Sequence, residues 1–119
     1  MFKQVEYVGF EGQPELRARA ETLAPVLAGE IHSWRDDVEV KWSPAPEQPR
    51  GSVKLTLSLS LPNGVSETHS GTIAPADLVN DSRSASRCGR VWYDLLGSVV
   101  RQLDRRVEAS LLELETAEV

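Results

Sequence analysis

From Ser52 to Leu61 polar and apolar residues alternate without a break. Val53, Leu55, Leu57, Leu59 and Leu61 fall on one side of an extended chain, and Ser52, Lys54, Thr56, Ser58 and Ser60 fall on the other. A period of two is that of a β-strand with one buried face. The stretch after it reads as a turn. In Leu61-Pro62-Asn63-Gly64-Val65, Pro62 suits the second position of a type I turn, Asn63 the third, and Gly64 the left-handed position of a bulge, so Leu61 pairs with Val65. That register sets Val53 opposite Ile73, Leu55 opposite Gly71, Leu57 opposite His69 and Leu59 opposite Glu67. Residues 65–73 then form a weakly apolar strand suited to a sheet edge.

Two further segments carry strand patterns. Val38, Val40 and Trp42 alternate with Glu39 and Lys41, and residues 4–10 are rich in β-branched and aromatic types. Helical spacing takes over between them: from Pro14 onward, Leu16, Ala20, Leu23, Leu27, Ile31 and Trp34 recur at steps of three and four, which places them on one helix face. Pro14 suits a first helical turn. Pro25 lacks the N–H that an interior position needs, and it predicts a kink or break near Glu21 and Thr22.

The closing helix carries Trp92, Leu96, Val99, Leu103, Val107, Leu111 and Leu114 as its stripe, widened by Leu95 and Val100. Running from about Ser86 to Ala117 it is about 45 Å long. Its acidic end, residues 108–119, is expected to project and pair with another copy, or to fray. Residues 43–51 hold three prolines and read as an extended surface loop. Residues 74–80 read as one helical turn. Residues 81–90, DSRSASRCGR, read as a flexible Ser/Arg linker ending in a helix cap at Ser84 or Ser86, or as an RNA contact that orders on binding.

The element order is therefore β-α-β-β-β-α, and every strand has one apolar face. Two helices packed on one face of an antiparallel or mixed four-stranded sheet satisfy that pattern. The expectation is an α+β two-layer sandwich, a single domain over residues 1–119, with the other sheet face wet.

Composition supports this picture and narrows the function. With 119 residues of which 40% are hydrophobic, the chain can build one core. No apolar run approaches the roughly 20 residues that span a bilayer, and the start lacks signal-peptide order, so a cytoplasmic protein without a membrane partner is expected. The single cysteine, Cys88, cannot form an internal disulfide. Flanked by Arg87 and Arg90 it is a candidate reactive thiol, although no base adjoins it. The net charge is −5, unevenly spread: residues 1–80 hold seven basic and eleven acidic side chains, residues 81–106 six and three, and residues 107–119 none and four. Basic character is confined to one stretch.

Several quoted segments carry a family resemblance. PELRARAETLAPVL (14–27), with its Leu16-Arg17 pair, is similar to the first helix of the ribosome hibernation-promoting factor family, also called ribosome-associated inhibitor or factor Y proteins. VEVKW and GSVKLTLSLSLPNGV look like that family's second strand and central hairpin. In LLGSVVRQLDRRVE (95–108), the apolar pair Val99 and Val100, then Arg101, Gln102 and Leu103, then Arg105 and Arg106, resembles its closing helix. The resemblance implies the same β-α-β-β-β-α order and a non-enzymatic factor that binds the ribosome or structured RNA. This chain departs from the family in its Glu-bearing first helix (Glu15, Glu21, Glu30) and in about 15 residues between the fourth strand and last helix.

The candidate nucleic-acid contacts are Arg83, Arg87, Arg90, Arg101, Arg105 and Arg106, since guanidinium forks suit phosphates. The competing reading is a solvated helix face in which Asp104 and Glu108 neutralise Arg101 and Arg105. The rival function is an acidic protein-protein interaction module, binding a basic protein or a second copy as a homodimer. Trp34, Trp42 and Trp92 fall on core faces rather than forming a base-stacking platform. His32 with Asp36 or Asp37 is the one conceivable acid-base pair. His32 and His69 lack partners at metal spacing, and no phosphate-binding glycine loop or nucleophile elbow occurs. No enzymatic activity, metal or cofactor is expected.

Overall fold

The computed structural model describes residues 4–30, 37–45 and 50–117. In chain order the elements are β1 (Gln4–Tyr7), α1 (Pro14–Glu30), β2 (Val38–Pro44), β3 (Val53–Ser60), β4 (Ser66–Ile73), α2 (Pro75–Leu78) and α3 (Asp81–Ala117). The strands form one mixed sheet in the order β1-β2-β3-β4, with β1 parallel to β2 and the other pairs antiparallel. This is an α+β layered fold whose helices pack on the apolar face of the sheet.

The predicted hairpin register is the observed one: Val53 stands opposite Ile73, Leu55 opposite Gly71, Leu57 opposite His69 and Leu59 opposite Glu67. The Leu61 amide donates to the Val65 carbonyl at 2.8 Å, and Gly64 takes a φ of 90°, the left-handed conformation that glycine adopts at least cost. The Val65 amide also donates to Asn63 Oδ1 at 3.1 Å.

Alternation decides which face is covered. Val38, Val40, Trp42, Val53, Leu55, Leu57, Leu59 and Ile73 are buried under the helices. On the other face hydroxyls pair across β3 and β4: Thr56 with Ser70, Ser58 with Thr68 and Ser60 with Ser66. Helix α1 contributes Leu16, Ala20, Leu23 and Leu27 to the core, and α3 contributes Cys88, Val91, Trp92, Leu95 and Val99. Each fully buried Leu or Val side chain stabilises the fold by about 1.5–3 kcal/mol relative to exposure.

Three expectations are corrected. Pro25 does not break α1, which is helical from Pro14 to Glu30 with the proline inside. Burial of Leu16, Ala20, Leu23 and Leu27 on both sides of it outweighs the one missing hydrogen bond. The first strand is shorter than residues 4–10: it ends at Tyr7, Gly9 turns the chain with a φ of 81°, and Phe10 is buried in the core.

The third correction matters most for function: residues 81–90 are not a linker but the first turns of α3. Asn80 starts the helix, its Oδ1 accepting the Arg83 amide at 3.1 Å and its carbonyl accepting the Ser84 amide at 2.9 Å. The Ser84 hydroxyl donates to the Asp77 carbonyl at 2.7 Å. Ser84 and Cys88 are fully buried, so small residues form the inner face of these turns. The helix is 37 residues long, about 55 Å. Ile31, His32, Trp34 and Asp36 lie outside the described residues.

Helix α3 runs along β4, and at Gly71 there is no room for a side chain: a Cβ would lie 2.4 Å from Val91 Cγ2. Farther along the helix the contact becomes polar. Ser98 Oγ lies 2.7 Å from His69 Nε2 and accepts from Arg101 Nη2 at 3.0 Å. Gln102 Nε2 donates to Glu67 Oε1 and, at 3.2 Å, to the Ser66 carbonyl. Arg106 Nη1 donates to the Asn63 carbonyl at 2.6 Å.

Candidate nucleic-acid interface

Continuity of α3 determines how the six arginines are arranged. At about 100° per residue, Arg83, Arg87, Arg90, Arg101 and Arg105 all fall within about 60° of one another around the axis, and Arg83 and Arg105 are separated by about 33 Å along it. All five are exposed. They form two groups, Arg83-Arg87-Arg90 and Arg101-Arg105, with Asp94 between them on the same face and Glu108 beyond.

The first group is organised by Asp77, which α2 places beside it. The Asp77 carboxylate is 3.3 Å from Arg87 Nε and 4.0 Å from Arg83 Nη1, and its side chain is only 15% exposed against 52% and 65% for the two arginines. One shielded carboxylate thus orients two guanidiniums whose outer nitrogens face solvent. Asp77, Ser82, Arg83, Ser86, Arg87 and Arg90 line an open depression. Its chemistry, several cationic donors around a hollow with neighbouring hydroxyls, suits a phosphate.

The second group is solvent-exposed but is not neutralised by acidic neighbours on its own helix. Among the described residues no ion pair joins Arg101 to Asp104 or Arg105 to Glu108. Arg101 Nη2 instead donates to Ser98 Oγ, which holds one edge of its guanidinium beside the sheet. Arg106 lies about 100° from Arg105 around the axis, and its Nη1 donates to the Asn63 carbonyl in the β3–β4 turn.

Other candidates resolve differently. The Cys88 thiol is fully buried against the core, out of reach of solvent oxidants. Trp42 and Trp92 are buried, so they offer no stacking surface. Asp37 is half-buried, and His32 lies outside the described residues. Among the described residues no group of three His, Cys, Asp or Glu side chains could hold a metal ion, and no helix is long and apolar enough to cross a membrane.

Two features escaped the sequence reading. Tyr93 is a 60% exposed aromatic on α3. A cleft of about 580 Å³ between the start of α1 and α2 is lined in part by Arg19, Arg50, Leu16, Pro75 and Leu78. The cleft joins residues more than thirty positions apart, which no local pattern signals.

No protein-family model matches the chain, and no curated protein or solved structure matches it.

Proposed function

We propose that the protein is a non-enzymatic ribosome- or RNA-associated factor of the hibernation-promoting type that grips the phosphate backbone of structured RNA through Arg83, Arg87, Arg90, Arg101 and Arg105. The observation that carries this reading is the alignment of these five side chains on one face of a single helix. A flexible linker would have left the first three unrelated to the last two. Apart from the one-turn α2, the β-α-β-β-β-α order that the family resemblance implies is the order of this fold.

The net charge of −5 does not oppose such binding, because phosphates respond to the local field and the basic residues are segregated on α3. Arg106 belongs to the fold rather than to the contact surface.

The test is sedimentation of host lysate containing the tagged protein, at low and high salt and after RNase. The expected result is migration with ribosomal particles that is lost with salt and with RNase. The quadruple variant Arg83→Glu, Arg87→Glu, Arg101→Glu, Arg105→Glu should stay at the top of the gradient while retaining its helical circular dichroism. Migration of the unaltered protein at the top under every condition would overturn the proposal.

A further inference from the structure

A second face of α3 carries a different message. From residue 104 to residue 113 every side chain of the helix is exposed, so these turns lie beyond the buried core, with Arg106 reaching back to the Asn63 carbonyl in the β3–β4 turn. Helices in water owe most of their stability to packing of an apolar face rather than to propensity. Yet the segment carries Val107 and Leu111, 58% and 55% exposed, and the stripe extends back through Val100 and Tyr93, 53% and 60% exposed.

The spacing of this stripe is regular. Tyr93, Val100 and Val107 recur every seven residues, and Leu96 and Leu103 follow the first two by three, the 3-4 alternation of a helix that packs along another helix. Leu96 and Leu103 are partly buried, their inner sides against the core, so they form the floor of the stripe. From Tyr93 to Leu111 it is about 27 Å long, and it lies about 110° around the axis from the arginine face.

We infer that the stripe is covered by the same helix of a second copy, running antiparallel. Charge selects both the occupant and the direction. Along the sequence, residues 81–106 carry six basic and three acidic side chains, +3, whereas residues 107–119 carry four acidic and no basic ones, −4. Antiparallel pairing lays the acidic end of each helix along residues 84–96 of the other, where Arg87 and Arg90 outnumber Asp94; parallel pairing sets acidic end beside acidic end and basic part beside basic part. The apolar positions agree. With the two-fold axis between residues 101 and 102, Leu96 of one copy meets Val107 of the other and Val100 meets Leu103. Each projecting end then rests beside the other copy's sheet-packed turns.

This inference rests on a different face from the RNA proposal and stands or falls separately. The experiment is light-scattering mass measurement on RNase-treated protein at concentrations from about 1 to 100 μM. The expected mass at the upper end is twice the chain's 13.1 kDa. The variant Val100→Glu with Val107→Glu, whose sites are exposed, should halve it without loss of helical signal. A monomer mass for the unaltered protein throughout, or a dimer mass that survives the double substitution, overturns the proposal. Direction is read from spin labels on Glu113→Cys: the antiparallel arrangement separates them by about 35 Å along the axis, and a distance below about 20 Å would refute it.

Discussion

Ser98 Oγ lies 2.7 Å from His69 Nε2 and also takes a hydrogen bond from Arg101. Through this one hydroxyl the edge strand, the long helix and a member of the arginine face are joined. Ser98→Ala removes the partner of both side chains; exposed Arg101 can turn to water, but leaving the half-buried His69 ring unpaired costs about 1–2 kcal/mol. Urea titration should show that loss. Replacing His69 by Leu in the same background should recover part of it, because the imidazole is then no longer left without a partner. No recovery would mean that the stability resides in packing rather than in the hydrogen bond.

Gly71 lies where α3 leaves no room for a side chain on β4. Its mutation to Ala puts a methyl carbon 2.4 Å from Val91 Cγ2, and Val91 is β-branched, buried and unable to swing aside. Overpacking of this kind costs about 1–3 kcal/mol. In a double-mutant cycle, adding Val91→Ala should relieve much of the penalty. Additive losses would show that the close approach is not what excludes a side chain at residue 71.

The five aligned arginines and Arg106 are expected to part company in a salt titration of binding to a structured RNA. Each of Arg83, Arg87, Arg90, Arg101 and Arg105 that contacts a phosphate contributes about one unit to the slope of log affinity against log salt. Arg105→Ala should therefore flatten the slope. Arg106→Ala should leave it unchanged and instead lower the melting temperature by loosening the helix from the Asn63 carbonyl. An equal effect of the two on the slope would count against the assignment of Arg106 to the fold.

Pro25 sits inside α1, where the Glu21 carbonyl lacks its amide partner. Pro25→Ala restores the donor and should stabilise the protein by about 1–3 kcal/mol, measured by denaturant midpoint. A neutral or destabilising result would show that the proline's restriction of the unfolded chain matters as much as the lost bond.

Tyr7 gives a pH signature. Burial, with the Glu21 charge adding to it and Arg17 opposing, raises its phenol above the ordinary tyrosine value. A raised folded-state value means that the neutral phenol is favoured by folding, so its contribution is intact below the unfolded value and is lost as pH rises through the folded one. Stability should fall above about pH 10, less steeply in Tyr7→Phe. Identical slopes for the two proteins would exclude the phenol as the cause.

Legibility in the sequence followed the length and cleanness of each pattern. The β3–β4 hairpin was readable to the residue, because five alternating apolar positions and a Pro-Asn-Gly turn leave one register. The parallel pairing of β1 with β2 was not, since residues 4–7 are mostly exposed and take their partners from residues 39–42, across α1. The start of α3 was misread for a physical reason: its inner face is Ser84 and Cys88, small groups that permit close packing but do not register as an apolar stripe. The outward Arg and Ser residues then dominate, and a buried helical turn looks like a linker. The arginines themselves were identifiable by type. Their alignment, the role of Asp77 ten residues from Arg87, and the separation of Arg106 needed the fold.

The hydroxyl pairs on the outer face of the sheet have an electrostatic consequence. Around Thr56-Ser70 and Ser58-Thr68 that face carries Glu6 and Glu39 against Lys41 and Lys54, charges that cancel. With that face neutral and the cations gathered along one flank of α3, the molecule has a pronounced charge asymmetry despite its small size. In the field of a polyanion it experiences a torque as well as an attraction, so it arrives already turned with the helix forward and the sheet behind.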